Sequence, residues 1–389
     1  MMSKKKILFI HHHKHFGGAT RSLYDLINAA KKKFDVHLLT PDGEVVNFFR
    51  KLNIKLIIVA GLPIIDISFA GRYFGARWLL LLREMYFLIK FYFEVFLVKD
   101  KNKYDIIHIN EFLVIPILPL IKKKYKSSKI IIHLRTILTE QNNFLKKICF
   151  NIIDKNVHRI IAIDENVKNC LPIKLKKKTF VIYNPQKFTK NSIKKSRSKI
   201  LRIGFVGRLN KDKGIEKLIS AAKKINKEHK KVLFILFGNF EKSFLSTILH
   251  YLNIKKNYYF YFKKNNFFRR ENIEIKKFSK NMNKIYQSFD VNISIQDPGS
   301  YGRSTIESAS YNIPSLISLK KNFNEAIIHK KTGFFVKHDN EKSLLEGINF
   351  FLKNKKNIHK LGMNNYLFFK KRHSIDIFTK NILNLFSKI

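Results

Sequence analysis

GRLNKDKG, residues Gly207 to Gly214, directly follows the apolar run Ile203–Val206 and precedes an amphipathic stretch. A short apolar run bounded by turn residues is typical of a buried strand, and a periodic amphipathic stretch is typical of a helix. The turn between them holds Arg208 and Lys213. A strand, a turn and a helix in this order form the repeating unit of a parallel α/β sheet, and here the turn carries two cations.

A second stretch, SYGRSTIESASYNIPSL from Ser300 to Leu316, places a Gly-Arg-Ser-Thr step just before a helical segment that contains Glu307. Together with the two cations of the first stretch, a helix N-terminus and a carboxylate suit a nucleoside diphosphate. Cations and unpaired backbone N–H groups hold a pyrophosphate, and a carboxylate accepts hydrogen bonds from ribose hydroxyls. The sequence therefore predicts a nucleotide site in the second half of the chain.

Short apolar runs alternate with longer amphipathic stretches in both halves, a pattern typical of parallel sheets flanked by helices. Residues 187–200 are polar and basic with almost nothing to bury, which indicates a linker. We therefore predict an α/β protein with two Rossmann-like domains, residues 1–186 and residues 201–373. The predicted strands are Ile7–Ile10, Val36–Leu39, Leu56–Val59, Ile106–Ile109, Ile130–Leu134, Ile160–Ile163, Phe180–Tyr183, Ile203–Val206, Val232–Phe237, Tyr258–Phe262, Val291–Ile295, Ser315–Ile317 and Phe334–Val336.

The two quoted stretches resemble the C-terminal half of glycosyltransferase family 4, whose members have the GT-B fold of two Rossmann-like domains with parallel sheets facing a central cleft. The resemblance implies transfer of a sugar from a nucleotide-sugar donor to an acceptor hydroxyl, with retention of the anomeric configuration. It also implies that residues 374–389 cross back onto the first domain. Acceptors in this family are often lipid-linked or cell-envelope glycans, so polysaccharide or lipopolysaccharide synthesis is the expected setting.

The same resemblance assigns roles to the residues of the first stretch. The family pattern Gly-Arg-Leu followed by Lys-Gly contacts the donor diphosphate, and it matches Arg208 and Lys213. Both are expected donor-binding and catalytic cations, since they would stabilise the negative charge that gathers on the departing nucleoside diphosphate. Metal-independent catalysis fits this arrangement, and no cofactor is expected.

The second stretch departs from the family at one position. The family has two glutamates separated by seven residues. The later one maps onto Glu307, an expected ribose ligand, whereas the earlier one maps onto Gly299, which has no side chain. Asp297 is the nearest acid and is the candidate sugar contact in its place. The helix start is expected to bind the donor through close backbone approach and N–H groups at Gly302, Arg303, Ser304 and Thr305.

In the first half, HFGGATRSLYDLI resembles the opening loop of the family, so Gly17 and Gly18 are expected beside the donor phosphates. His133 resembles the first-domain histidine of the family, which contacts the donor sugar, and it is the third expected catalytic residue. Arg135 lies two residues on and is a possible sugar contact. A core histidine is the alternative at position 133, and His108 and Glu111 are interpreted as structural or acceptor-proximal.

The cluster His11, His12, His13 and His15 invites a metal-site interpretation. Successive side chains of a strand alternate faces, so the four cannot converge on one ion. No Asp-x-Asp pair after a strand, zinc pattern or Walker pattern accompanies them. The sequence therefore predicts no metal site.

The net charge of +48 is spread over the chain, because Lys and Arg outnumber Asp and Glu by 34 to 14 in residues 1–187 and by 42 to 14 in residues 188–389. This even excess argues against a specific nucleic-acid partner, whereas an anionic membrane surface would attract it. No signal peptide or uncharged spanning segment is evident, so we expect a cytoplasmic protein that can lie on the membrane's inner face. The aromatic segment Phe74–Lys99 is either an interfacial helix or a helix packed on the first sheet.

Two alternatives stay open at this point. A GT-B nucleotide-sugar epimerase would use the same nucleotide site but would need further acids in the first domain. A non-enzymatic protein that binds nucleic acid or membrane through its charge would show strong salt dependence and no preference for nucleotide sugars.

Overall fold

The computed structural model describes residues 4–68, 78–99, 102–138, 144–188, 199–228, 231–240, 247, 251, 257–264, 272–277, 279, 281–297, 301–321 and 324–389. The chain forms two compact units, one of Met1–Pro185 with Ile375–Ile389 and one of Gln186–Ser374. Most of the predicted linker, 187–200, lies outside the described residues. So does Gly299, the position that matches the earlier glutamate of the family.

The first unit is built on a seven-stranded sheet with helices on both faces. Its strands are β1 (Lys6–Ile10), β2 (Asp35–Pro41), β3 (Lys55–Val59), β4 (Ile106–Ile109), β5 (Lys129–Leu134), β6 (Arg159–Ala162) and β7 (Thr179–Val181). Its helices are α1 (Gly18–Ala30), α2 (Glu44–Arg50), α3 (Leu80–Phe91), α4 (Leu118–Lys124), α5 (Phe144–Asn156), α6 (Glu165–Asn169), α7 (Ile173–Lys176) and the terminal α14 (Ile375–Ser387). A π-helical segment, Tyr92–Lys99, extends α3, and a 3₁₀ segment, Phe112–Ile117, precedes α4.

The second unit is built on a six-stranded sheet. Its strands are β8 (Leu201–Val206), β9 (Val232–Phe237), β10 (Ile273–Lys276), β11 (Val291–Ser294), β12 (Ser315–Leu319) and β13 (Gly333–Lys337). Its helices are α8 (Ile215–Glu228), α9 (Tyr258–Lys264), α10 (Met282–Tyr286), α11 (Arg303–Ser310), α12 (Glu341–Lys353) and α13 (Ile358–His373).

Every strand pair described in the two sheets is parallel, in the orders β3-β2-β1-β4-β5-β6-β7 and β10-β9-β8-β11-β12-β13. The direction of the strand order therefore reverses between β1 and β4 in the first sheet and between β8 and β11 in the second. Ligands of doubly wound sheets bind at such reversals, beyond the carboxyl ends of the strands. The turn Gly207–Gly214 follows β8 and the segment Ile295–Asp297 follows β11, so both lie at the reversal of the second sheet.

Alternate residues of the central strands pack on opposite faces of each sheet, as expected for buried parallel strands. In β1, Leu8 belongs to one core with Phe91, whereas Phe9 belongs to the other core and lies 6.2 Å from the ring of Phe386. Because Phe386 belongs to α14, the end of the chain completes the core of the first unit. The hydrophobic side chains of this helix tie it to β1 and α1.

The predicted strand Tyr258–Phe262 is wrong, because these residues form the start of α9 and the strand of this region is β10. A continuous run of aromatic residues has high β-propensity, but the packing of its side chains decides the structure. Phe262 is fully buried, and Tyr258 lies one helical turn before it and packs against the same core, which is the spacing of a helix face.

Within the described residues, no helix is long and apolar enough to cross a bilayer.

Candidate functional site

The turn after β8 is held rigidly against the end of β11. Gly214 has φ +76°, and a Cβ at this position would lie 2.2 Å from the carbonyl oxygen of Ile295. The side chain of Asn210 accepts a hydrogen bond from the backbone N–H of Lys213 at 3.2 Å. On the other side, the backbone N–H of Asp297 donates to the carbonyl oxygen of Asp212 at 2.8 Å. These contacts hold the backbone of the turn in place and thereby position its two cations, Arg208 and Lys213.

Lys213 is half-buried, and its Nζ donates to Oε1 of Gln296 at 2.7 Å. Burial lowers the pKa of Lys213, and the charge of the exposed Arg208 lowers it further. Among the described residues, no ion pair joins a carboxylate to Lys213, so its hydrogen-bond partner is a neutral amide. Two cations that repel each other make a site that favours an anion with more than one negative charge.

Helix α11 begins beside this turn. Its N-cap is Gly302, and a Cβ there would lie 3.3 Å from Oε1 of Gln296, the same atom that Lys213 contacts. Within the described part of the chain, no side chain caps this helix end. The N–H of Thr305, one of the expected donors, bonds to the carbonyl oxygen of Gly302 at 3.0 Å within the helix. The donor-binding roles of Gly302, Arg303 and Ser304 stay predictions.

The predicted ribose ligand, Glu307, lies one turn into α11 and is held by two side chains. Tyr286 donates to its Oε2 at 2.9 Å, and Nε of Arg303 donates to its Oε1 at 3.0 Å. Burial and the charge of Glu307 together raise the pKa of Tyr286 well above its ordinary value, so Tyr286 remains a donor. The Arg303 side chain thus orients the Glu307 carboxylate, a contact that could not be foreseen from the sequence, which indicated a role for the Arg303 N–H alone.

Asp297, the candidate sugar contact, points toward α8 and the end of β13. Its carboxylate lies 2.8 Å from Nε2 of His338 and 3.5 Å from Nζ of Lys217. Lys217 also forms an ion pair with Asp339. One side-chain nitrogen or oxygen atom from each of Asp297, His338 and Asp339 lies within 4.8 Å of the other two. The Lys217 ammonium supplies the positive charge between the two aspartates. The role of Asp297 in sugar binding stays a prediction.

In the first unit, Gly17 is the N-cap of α1 and Gly18 is its first residue. A Cβ at Gly17 would meet nothing within 4 Å, so open space adjoins the start of this helix. As in α11, no described side chain caps the helix end. The expected place of Gly17 and Gly18 beside the donor phosphates stays a prediction.

Of the histidine cluster, His11 is fully buried and connects three elements. Its Nε2 lies 3.2 Å from Oγ1 of Thr20 in α1, and its Nδ1 lies 3.1 Å from the side-chain nitrogen of Asn110 after β4. Burial lowers the pKa of His11 well below its ordinary value, and burial also lowers the pKa of His12 to about 3. His15, in contrast, is exposed. The ring centroids of His11, His12 and His13 lie 3.9 to 6.0 Å apart, so three of the four histidines are neighbours.

His133, the expected sugar contact at the end of β5, is fully buried. Its Nδ1 lies 3.2 Å from Nη2 of Arg135, and its ring lies 5.5 Å from that of His108. Burial lowers its pKa well below the ordinary value, so the ring is neutral. A sugar would reach it only after neighbouring side chains move.

Arg135 is half-buried, and three neutral groups hold its guanidinium. Besides His133, its Nε donates to Oδ1 of Asn110 at 3.0 Å and its Nη1 donates to Oδ1 of Asn184 at 2.8 Å. The amide oxygens position the guanidinium at the carboxyl edge of the sheet, where ligands of such sheets bind. The charge of Arg135 also acts on Glu111, whose pKa it lowers against the effect of burial.

Glu111, after β4, is a buried acid with a strongly shifted pKa. Burial raises its pKa to about 7, against the opposing effect of hydrogen bonds from the backbone N–H of Phe112 and the hydroxyl of Thr136. An acid that titrates near neutral pH can donate or accept a proton, and such groups cluster at functional sites. The sequence placed Glu111 near the site but gave no sign of this shift.

Two residues near the candidate site of each unit were missed from the sequence: Asn110 and Asn184 in the first unit, and Gln296 and Tyr286 in the second. Asn110, Asn184 and Gln296 share a signal, because each lies one to three residues beyond the carboxyl end of a strand. Polar residues at that edge are candidates in any doubly wound fold. Tyr286 left no such signal, since its contact with Glu307 joins two helices.

Two family models match the chain in succession. Residues 16–185 match the model described as Glycosyltransferase Family 4, and residues 186–368 match the model described as Glycosyl transferases group 1. No curated protein matches the sequence significantly.

Solved structures with low sequence identity share the fold over the whole chain. HepE from Anabaena, solved with UDP, has a TM-score of 0.74 at 17% identity and covers 99% of this chain and 100% of its own. TarM from S. aureus, solved with fondaparinux, alpha-GlcNAc-glycerol and UDP, has a TM-score of 0.70 at 13% identity, with 98% and 99% covered. The lipopolysaccharide outer core galactosyltransferase WaaB has a TM-score of 0.66 at 15% identity, with 99% and 100% covered. The predicted two-domain α/β architecture is confirmed.

Proposed function

The chain belongs to the group 1 glycosyltransferases and has the GT-B fold, and from this premise we propose that it transfers a sugar from a nucleoside-diphosphate donor to an acceptor hydroxyl, with Arg208 and Lys213 as the cations that stabilise the departing diphosphate. The observation that carries the proposal is the contact of Gln296 with both Lys213 and the start of α11. It brings two cations and an uncapped helix end to one edge of one sheet.

The chemistry of sugar transfer needs such a group of charges. As the glycosidic bond of the donor breaks, the leaving diphosphate gains negative charge, and fixed cations stabilise that charge without reorganising. The turn is fixed by Asn210, Gly214 and its contact with Asp297. The half-buried Lys213 and the N-terminus of α11 would face the phosphates, and Glu307 would accept from the ribose.

The donor proposed for the first test is a UDP-sugar, because the HepE structures contain UDP and UDP-glucose. Retention of the anomeric configuration and independence from metal ions are part of the proposal by resemblance to family 4. The acceptor class proposed is a cell-envelope glycan or a lipid-linked glycan. The names of TarM's ligand alpha-GlcNAc-glycerol and of the outer core galactosyltransferase WaaB support this choice, as does a net charge of +48, which favours work at an anionic surface on the cytoplasmic side of the membrane.

A thermal-shift screen against UDP-, GDP-, ADP- and TDP-sugars identifies the donor, since a specific ligand raises Tm in proportion to the logarithm of its concentration. Transfer is then measured with the donor found. Arg208→Ala and Lys213→Ala should each lower turnover by roughly 100-fold or more. Lys211→Ala is the matched control, because it removes an exposed cation of the same turn and should leave turnover near that of the wild type.

Near-normal turnover in both Arg208→Ala and Lys213→Ala would overturn the assignment of the diphosphate site. Product analysis without acceptor separates the remaining alternatives. An epimerised nucleotide sugar would indicate an epimerase, for which the neutral-pH acid Glu111 is a candidate proton carrier. If no nucleotide sugar raises Tm and the chain binds DNA in a salt-dependent way, the protein is a charge-driven binding protein.

A further inference from the structure

Helix α3 and its flanks expose an apolar surface. Eighteen large hydrophobic side chains are exposed among the described residues, and eight of them fall between positions 78 and 93. Single exposed hydrophobic residues are ordinary, whereas a contiguous group marks an interaction site. The eight are Trp78, Leu79, Leu80, Leu82, Met85, Tyr86, Ile89 and Phe93.

Helix α3 packs Phe91 and Leu88 on the core of the first sheet, but an acidic residue also lies on this buried side and a second apolar side is exposed. Glu84 is 6% exposed and accepts a hydrogen bond from the backbone N–H of Ile64 at 2.9 Å. Ten residues later, Glu94 accepts from the backbone N–H of Ala60 at 3.2 Å. The two glutamates accept hydrogen bonds from one short loop. The helix therefore cannot rotate its exposed apolar side inward without breaking both hydrogen bonds. The contacts of Phe91 and Leu88 agree with the alternative of a helix packed on the first sheet, whereas Glu84 lies on the buried side and does not face solvent.

Cationic side chains flank the apolar side. Arg83 and Lys90 lie four residues after Leu79 and Tyr86, which places them along one edge of the exposed surface. Arg83 is exposed and also bonds to Glu84, and Nζ of Lys90 lies 5.3 Å from the centre of the Tyr86 ring. An apolar face with a tryptophan, a tyrosine and basic residues at its margin has the composition of helices that lie in a membrane interface.

We propose that α3 is a membrane-docking helix that inserts Leu79, Leu82, Met85 and Ile89 into an anionic lipid surface. Its 12 residues span about 18 Å, too short to cross a bilayer, so the helix lies in the plane of the interface. Charge selects the lipid over a second copy of this chain. Two copies would each bring a net charge of +48 to a patch already edged by cations, whereas anionic headgroups complement it. This surface goes beyond the proposed transfer reaction and rests on α3 alone.

The chain contains one tryptophan, Trp78, at the start of α3, and its fluorescence reports directly on this surface. Vesicles of phosphatidylcholine with 30% phosphatidylglycerol (about one lipid in three), and vesicles of phosphatidylcholine alone, are mixed with the full chain at low salt and at about 1 M salt, where the Debye length falls to about 3 Å. We expect a blue shift of Trp78 emission and a bound fraction with the anionic vesicles that survives high salt.

The double variant Leu82→Ser/Ile89→Ser should lose the blue shift and the salt-resistant fraction while keeping charge-driven binding at low salt. The matched control Ile173→Ser/Leu367→Ser removes two exposed aliphatic side chains outside α3 and should behave as the wild type. Both variants should keep the thermal shift with the nucleotide sugar, which separates this test from that of the transfer reaction. Unchanged Trp78 emission with no salt-resistant binding would overturn the proposal. A second result would also overturn it: the wild type sediments as a dimer, the Leu82→Ser/Ile89→Ser variant sediments as a monomer, and the wild type does not bind vesicles.

Discussion

Glu307 shares its carboxylate between two side chains of its own unit, with Tyr286 on one oxygen and Arg303 on the other. Each carboxylate oxygen has two acceptor directions, so each can accept one further hydrogen bond, which the proposed ribose hydroxyls would donate. The two side chains fix the plane of the carboxylate, because Tyr286 is fully buried and cannot follow a moving partner. This geometry suits a pair of neighbouring hydroxyls better than a single donor.

The first prediction concerns Glu307→Gln. The amide has one acceptor oxygen in place of two, so binding of the free nucleoside diphosphate should weaken by about 1–3 kcal/mol. Titration calorimetry with UDP, or with the nucleotide found in the screen, measures the loss. Glu341→Gln is the control, since Glu341 likewise accepts from a hydroxyl, that of Ser220, and from a cation, that of Lys224. If both variants lower Tm and bind the nucleotide as the wild type does, Glu307 is only a structural residue.

Asp297 illustrates how a residue can lie next to a site and face away from it. Its backbone N–H touches the diphosphate turn at Asp212, whereas its carboxylate binds His338 and Lys217. The neighbouring Gln296 points the other way, toward Lys213. Alternation along an extended segment explains both directions, because successive side chains leave opposite sides. The contacts favour an anchoring role for Asp297 in the turn.

At the scale of an element, the turn after β8 and the start of α1 both depend on glycine, for different reasons. Gly214 needs its positive φ and has no room for a Cβ, whereas Gly17 has φ −162°, which any residue adopts, and open space around it. The first glycine is required by the protein itself. The second would be required only by a ligand that approaches the backbone.

The second prediction compares two alanine variants. Gly214→Ala should destabilise the protein by about 1–3 kcal/mol and also lower turnover, since the turn must shift away from Ile295. Gly17→Ala should change stability by less than about 1 kcal/mol yet lower kcat/KM clearly, because a methyl group would occupy the space that the donor approaches. Thermal unfolding and transfer kinetics are measured on both. Wild-type kcat/KM in Gly17→Ala would exclude the start of α1 from the site.

The sequence predicted most of this architecture because buried parallel strands are continuous apolar runs that periodicity detects. The runs at Ile7–Ile10 and Ile203–Val206 are β1 and β8, and the cations after β8 lie in the turn as expected. The failure at Tyr258–Phe262 has a physical cause, since an aromatic run pairs as a strand or packs as a helix according to its neighbours. The rotation of α3 was equally hidden, because its backbone partners, Ala60 and Ile64, are distant in sequence.

The pKa shift of Glu111 was beyond prediction for a similar reason. A carboxyl group acquires such a shift from burial, and burial depends on the packing of the whole unit rather than on its neighbours in sequence. The same holds for the orientation of Arg135, whose partners Asn110 and Asn184 come from the ends of two other strands. Composition and spacing locate an edge of a sheet, whereas the contacts along that edge require the fold.

At the scale of the whole molecule, burial lowers the pKa of five histidines of the first unit, and these histidines oppose folding in acid. Burial lowers the pKa of His12 and of His108 to about 3, and lowers that of His11 and His133 well below the ordinary value. The unfolded chain binds these protons below pH 6.5 and the folded unit does not. Stability from each histidine is therefore present above pH 6.5 and is lost as the pH falls toward 3.

Glu111 acts in the opposite direction. Its pKa is raised to about 7 from 4.5, so the folded unit holds a proton that the unfolded chain releases. Its contribution is present below pH 4.5 and is lost as the pH rises toward 7. Because the histidines with lowered pKa outnumber this one acid, the first unit should lose stability on mild acidification.

The third prediction is that His108→Phe makes the first unit less sensitive to acid. The His108 ring packs against Phe9, Phe386 and His133, and neither of its nitrogens has a hydrogen-bond partner among the described residues, so phenylalanine can replace it. Between pH 6.5 and pH 5 the loss of unfolding free energy should be smaller by up to about 1.4 kcal/mol per pH unit. Urea unfolding followed by Trp78 fluorescence reports the first unit alone, and circular dichroism reports both units. His359→Phe, which removes an exposed histidine of α13, should retain the wild-type slope. Equal slopes in wild type and His108→Phe would mean that His108 is protonated in the folded unit, against the effect of its burial.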